Sequence, residues 1–152
     1  MDEPKIAITY LEEIRKEQPK NADILFEIAL AHDRMEDYKT AIQYLNQAKE
    51  GKQDNPLINN ALGYAYAKLG ENLDEAESLI LEAIDSDPEE ISQKINFRDS
   101  LSWLYFQKEN YEKAYEEIQG ALQMVPESND RFNPLLSEMN YHLGMISYKL
   151  ED

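Results

Sequence analysis

Small apolar residues recur along this chain in a fixed phase with larger ones. Ala7, Ala41, Ala76 and Ala114 sit in similar surroundings (KIAITYLEEI, YKTAIQYLNQA, LDEAESLILEA, YEKAYEEIQGA) and are spaced 34, 35 and 38 residues apart. Seven positions after each stands Ile14, Ala48, Ala83 or Ala121, and five further on three of the four stretches carry Pro19, Pro88 and Pro126. The second has Gln53 there, and its Pro56 comes three residues late. A second pattern precedes the last three alanines and recurs near the end: LFEIALAH, NNALGYAY, RDSLSWLY and MNYHLGMIS. In it Ile28, Leu62, Leu101 and Leu143 are each followed by a small residue, Ala29, Gly63, Ser102 or Gly144. A period of about 34 residues marks a repeat architecture whose units bury their apolar faces only by stacking on their neighbours.

Within each unit the apolar spacing is helical. It predicts eight helices at roughly 4–17, 22–35, 38–50, 56–69, 73–86, 89–108, 111–124 and 134–150. The punctuation agrees: Asn55-Pro56 and Asn133-Pro134 read as an N-cap followed by proline at the first helical position. Asp87-Pro88, followed by Glu89 and Glu90, reads the same way. Gly70 falls where a helix must stop. The spacing of 38 predicts an extra turn at the N-terminus of the sixth helix, and the loop ESNDRFN precedes the eighth. Both loosen the regular winding toward the C-terminal end.

These residues resemble the tetratricopeptide repeat, a unit of two antiparallel helices, A and B. The family pattern places a large apolar then a small residue in helix A, and an aromatic, Ala and Ala in helix B. The aromatic is present as Tyr38 and Tyr111, with Leu73 in its place once. The small residues belong where A and B cross most closely. The resemblance implies an all-α fold, a right-handed superhelical solenoid of antiparallel helix pairs in the order B, A–B, A–B, A–B, A. One domain over 1–152 would divide into a half repeat 1–20, repeats 21–54, 55–88 and 89–126, and a half repeat 127–152. A lone B helix first and a lone A helix last each leave a stacking face uncovered. Either the chain is a piece of a longer, bacterial repeat protein, or its ends stack on other copies.

Chemistry is harder to find. His32 and His142 lie far apart in different repeats, and the chain lacks HExxH, an EF-hand loop, a glycine-rich phosphate loop and GxSxG. Carboxylate pairs such as Glu12–Glu13 and Glu116–Glu117 fall on exposed B-helix faces, where they solvate. The expectation is no enzyme, no catalytic residue, no metal and no cofactor. Cysteine is absent, which excludes disulfides and thiolate zinc sites. No apolar run reaches the ~20 residues that span a bilayer, so direct membrane insertion is not expected. The compartment stays open: cytoplasmic, or periplasmic and envelope-associated within a longer chain.

Charge narrows the partners. Fifteen basic against 31 acidic residues give a formal charge of −16, which disfavours nucleic acid and anionic membranes. A basic or apolar protein or peptide partner is the expectation. In the family, A helices line the concave surface through positions two before, two after and one turn beyond the large apolar residue. Carried over, the resemblance implies a groove lined by Phe26, Leu30 and Asp33, then Asn60, Tyr64 and Ala67, then Asp99, Trp103 and Phe106, then Tyr141, Met145 and Tyr148. Such a set suits the apolar face of a helical or extended peptide, because Tyr and Trp offer large contact area with few rotamers to freeze. The alternative for the same rings is core packing between adjacent A helices. Members that clamp an acidic C-terminal tail use basic residues where this chain has Phe26, Leu30, Ala61, Asn96 and Ser100, so that ligand is not expected. A self-assembly unit associating through its terminal helices is the alternative function.

Overall fold

The computed structural model describes residues 3–126 and 134–151, and within them the chain is helical throughout. Eight helices follow one another: α1 (Glu3–Glu17), α2 (Ala22–Arg34), α3 (Tyr38–Gly51), α4 (Pro56–Leu69), α5 (Leu73–Asp85), α6 (Ile91–Gln107), α7 (Tyr111–Gln123) and α8 (Pro134–Glu151). Each A-type helix packs chiefly on the B-type helix that follows it: α2 on α3, α4 on α5 and α6 on α7. Successive pairs stack through α3 on α4, α4 on α6 and α5 on α6, and α8 closes against α6 and α7.

The small residues explain the pairing. Ala41, Ala76 and Ala114 are fully buried, and the residue facing them from the A-type helix decides how closely the helices cross. At Gly63 a methyl group would lie 2.8 Å from the carbonyl oxygen of Ala76 and 2.7 Å from Ile80 Cγ1, so only glycine fits that crossing. At Ser102 the hydroxyl donates to the carbonyl of Ala114 at 2.9 Å, so the polar atom is satisfied inside the seam.

Caps set the helix starts. Asn55 Oδ1 accepts from the amides of Leu57 and Ile58, with Pro56 in the first turn of α4. Asn21, Asp37 and Asn110 cap α2, α3 and α7 in the same way. Gly70 adopts φ 68° and ends α4, its amide bonded to Ala67 and that of Glu71 to Tyr66. One expected start is corrected. Asp87 is left-handed at φ 46°, so the chain reverses there and Pro88 belongs to the connection; α6 begins at Ile91 with Glu90 at its N-cap. The extra turn is present: α6 has 17 residues against 13 in α2 and 14 in α4. Asn133 and the loop ESNDRFN lie outside the described residues.

Burial grades along the stack. A continuous apolar core runs from α2 to α6, and a second cluster joins Ile95, Ala114, Ile118, Ala121, Met139 and Ile146 of α6, α7 and α8. Helix α6 is enclosed by neighbours, so its buried residues surround the axis instead of forming a stripe. By contrast α1 contacts α2 with no residue fully buried. Among the described residues no helix is long and apolar enough to cross a membrane.

Candidate functional site

The inner wall of the stack is built from the A-type helices α2, α4, α6 and α8. Its centre is a cleft of about 140 Å³ lined by Leu30 and Asp33 of α2, Asn60, Ala61 and Tyr64 of α4, Asn96, Asp99 and Ser100 of α6, and Glu138 of α8. Five of the groove residues expected from sequence therefore meet there: Leu30, Asp33, Asn60, Tyr64 and Asp99. Ala61, Asn96 and Ser100, the positions where a basic clamp is missing, line the same cleft.

The cleft is acidic and tightly bonded. Tyr64 donates its hydroxyl to Glu138 Oε1. Asp99 Oδ1 lies 2.8 Å from Nδ1 of His142, and both side chains are buried. Asn60 donates through Nδ2 to Asn96 Oδ1 at 3.0 Å. Burial, reinforced by the charge of Glu138, pushes the Asp33 carboxyl up to about 6, while Lys68 and Arg34 pull the other way. Burial likewise raises Asp99 against the opposing pull of His142. The Tyr64 phenol is driven far above its ordinary range by burial and by Glu138.

Beside the cleft stands a stack of rings. Trp103 lies 4.8 Å from Phe106 and 4.5 Å from His142, centroid to centroid, with near-parallel planes; Tyr141 approaches it at 6.4 Å. The ammonium of Lys68 sits 5.0 Å above Trp103, 5.4 Å from Tyr64 and 5.8 Å from Tyr38, a cation held by three aromatic faces. Trp103 itself is 7% exposed, so its ring serves mainly as a floor. The accessible aromatic surface belongs to Tyr141, 58% exposed, and Tyr148, 62% exposed. Phe26, Phe106 and Met145 are half-buried against the main core, and Ala67 is fully buried.

Sequence reasoning missed Glu138 and the role of His142. Both carry a signal: His142 lies four residues after Glu138 on the last A-type helix, so the two share one face of it. Among the described residues, the buried side-chain atoms without a partner are Asn60 Oδ1, Trp103 Nε1 and His142 Nε2. All three belong to this wall.

The comparisons fit this geometry. The family model of the tetratricopeptide repeat matches residues 2–69, whereas no curated protein matches the chain in sequence. Among solved structures, MamA (41-end) from Desulfovibrio magneticus RS-1 superposes with a TM-score of 0.70 at 19% identity, covering 98% of this chain and 77% of that one. The TPR domain of Sgt2 from Aspergillus fumigatus gives 0.65 at 20% identity, over 86% of this chain and 79% of that domain. IFIT1, in a structure with m7Gppp-AAAA, gives 0.67 at 17% identity, over 97% of this chain and 38% of its own length. At these identities the structures speak for the fold, a right-handed solenoid of helix pairs. The match in sequence spans α1 to α4, and the same antiparallel pairing of helices continues through α6 and α7.

Proposed function

We propose that the chain is a protein-interaction module whose concave wall holds a helical or extended polypeptide segment. The observation that carries this reading is an exposed Tyr141 beside a floor of stacked rings next to an acidic cleft, with exposed Tyr148 seven residues further along α8. Exposed Tyr on a fixed helix offers contact area at little entropic cost, and the Trp103 ring lies beside that of Tyr141. Phe26, Leu30, Asn60, Tyr64, Asp99 and Met145 complete the wall. The charge of −16 draws in basic segments and repels phosphate-rich ones.

The test is affinity capture from a lysate of the source cells with the wild type and a Tyr141→Ala, Tyr148→Ala variant. These side chains are exposed, so the variant keeps its fold. A protein retained by the wild type and lost by the variant supports the groove; equal capture by both overturns it.

A second reading, self-assembly, has its own observation. Ile6, Tyr10 and Ile14 are exposed on α1, and among the described residues nothing lies within 4 Å of a methyl group built on Gly144 of α8. An α8 face stacked on the α1 of another copy would bury both, and such a head-to-tail contact does not close on itself. Sedimentation that stays monomeric at high concentration removes this reading.

A further inference from the structure

The cleft beside the ring stack has a polarity that the peptide-groove reading does not explain. Asp33, Asp99 and Glu138 line it from three different helices, and between them stands Asn60, only 6% exposed. The Asn60 amide gives its Nδ2 to Asn96, but its Oδ1 is buried without a donor. A buried acceptor is normally paired, so this oxygen marks the place of a missing N–H.

Three of the donors nearest to this oxygen are engaged elsewhere. The Tyr64 hydroxyl is given to Glu138, His142 Nδ1 to the Asp99 contact, and the Lys68 ammonium sits over the rings of Trp103, Tyr64 and Tyr38. Among the described residues no three His, Asp or Glu side chains converge as ligands for a metal ion. What fits is an organic cation carrying several N–H groups, long enough to reach in from the groove.

We propose that this cleft is a subsite for one cationic side chain, lysine or arginine, of the polypeptide held in the groove, its N–H groups directed to Asn60 Oδ1 and the carboxylates of Asp33 and Glu138. The proposal rests on the groove reading and adds a specific anchor to it. A Lys or Arg stem also matches the apolar part of the lining, Leu30 and Ala61. The elevated Asp33 is consistent with this, because an incoming cation relieves its repulsion from Glu138.

The experiment selects binders for the whole chain from a library of random-sequence peptides and follows binding through the fluorescence of Trp103, the single tryptophan. Each selected peptide is then remade with arginine replaced by citrulline and lysine by acetyl-lysine. Both replacements keep the length and remove the charge. The protein variant is Asp33→Asn with Glu138→Gln, near-isosteric changes whose folding is checked by circular dichroism. The expected result is that one neutralised residue weakens wild-type binding about tenfold or more, while the variant binds charged and neutral peptides alike, as coupled charges require. Binding that is lost with Tyr141→Ala, Tyr148→Ala but indifferent to neutralisation overturns the cationic subsite and leaves the groove standing. Binding that ignores the tyrosine changes, or a library that yields no binder, overturns both.

Discussion

The seam between paired helices and the concave wall solve opposite problems with the same A-type helices. Where the seam's helices cross most closely the side chains are small and satisfied: Ala41, Ala76 and Ala114 are fully buried, and Ser102 gives its hydroxyl to the Ala114 carbonyl. On the wall, two or three positions away along the A-type helices, Asn60, Asp99 and His142 are buried. The described buried atoms without partners lie there and nowhere in the seam. Desolvating polar groups without partners costs stability, so the wall is not shaped for stability alone. The cost is thus concentrated on the wall, the surface proposed above for recognition.

The largest effect that bears on this contrast comes from the wall's own floor. Trp103→Ala removes a ring stacked on Phe106 and His142 and is expected to lower unfolding free energy by about 3–5 kcal/mol. Tyr141→Ala and Tyr148→Ala, both exposed, should stay within about 0.5 kcal/mol of wild type. Urea denaturation followed by circular dichroism separates the two. If all three cost the same, floor and rim do not divide as described.

Next is the seam. Gly63→Ala gains about 0.5–1 kcal/mol of helix propensity, but the new methyl meets the Ala76 backbone oxygen at 2.8 Å and Ile80 at 2.7 Å. The backbone cannot step aside as a side chain could, so overpacking of about 1–3 kcal/mol should win and leave a net loss. A Gly63→Ala protein as stable as wild type would mean that the seam has slack.

The seam was legible from sequence because contact distance between two helices forbids a Cβ or permits only one, and that demand recurs with the repeat. The wall was legible only as a face. The family resemblance implied Asn60, Tyr64, Asp99 and Trp103 on the inner side, but a position carried over gives direction and not depth, so Trp103 could be placed there without its burial being known. The cleft needed four helices brought together from Leu30 to Glu138, which no local pattern encodes. The start of α6 failed for a local reason: Asp-Pro before two acids also serves a left-handed turn, and Asp87 at φ 46° uses it so.

The charge on the wall offers a pH test. Asp33 is raised to about 6 when folded, against about 3.9 for an unfolded chain. The folded state therefore binds the proton more tightly, and stability falls as pH rises from about 4 through 6, with the full penalty present above 6. Asp33→Asn removes that penalty. Because Asp33 keeps some solvent access, the expected gain at pH 7.5 is about 1–2 kcal/mol, fading toward pH 4. A gain that does not change with pH would locate the effect in packing instead.

The smallest expected effect reverses the sign of the seam prediction at an equivalent position. Gly144 follows Leu143 in α8 as Gly63 follows Leu62 in α4, yet among the described residues a methyl group built on it meets nothing within 4 Å. Without an opposing helix, only the helix-propensity difference remains, so Gly144→Ala should stabilise by about 0.5–1 kcal/mol. Thermal unfolding in dilute solution reads this directly, and a loss there would mean that α8 is tighter than its open face implies. Repeating the melt at high concentration asks a second question of the same residue. If another copy supplies the missing B-type helix, that methyl would meet it as the Gly63 methyl meets Ala76, and the gain should turn into a loss as the protein is concentrated. A gain that stays constant with concentration leaves the α8 face open and the concave wall as the surface on which this chain acts.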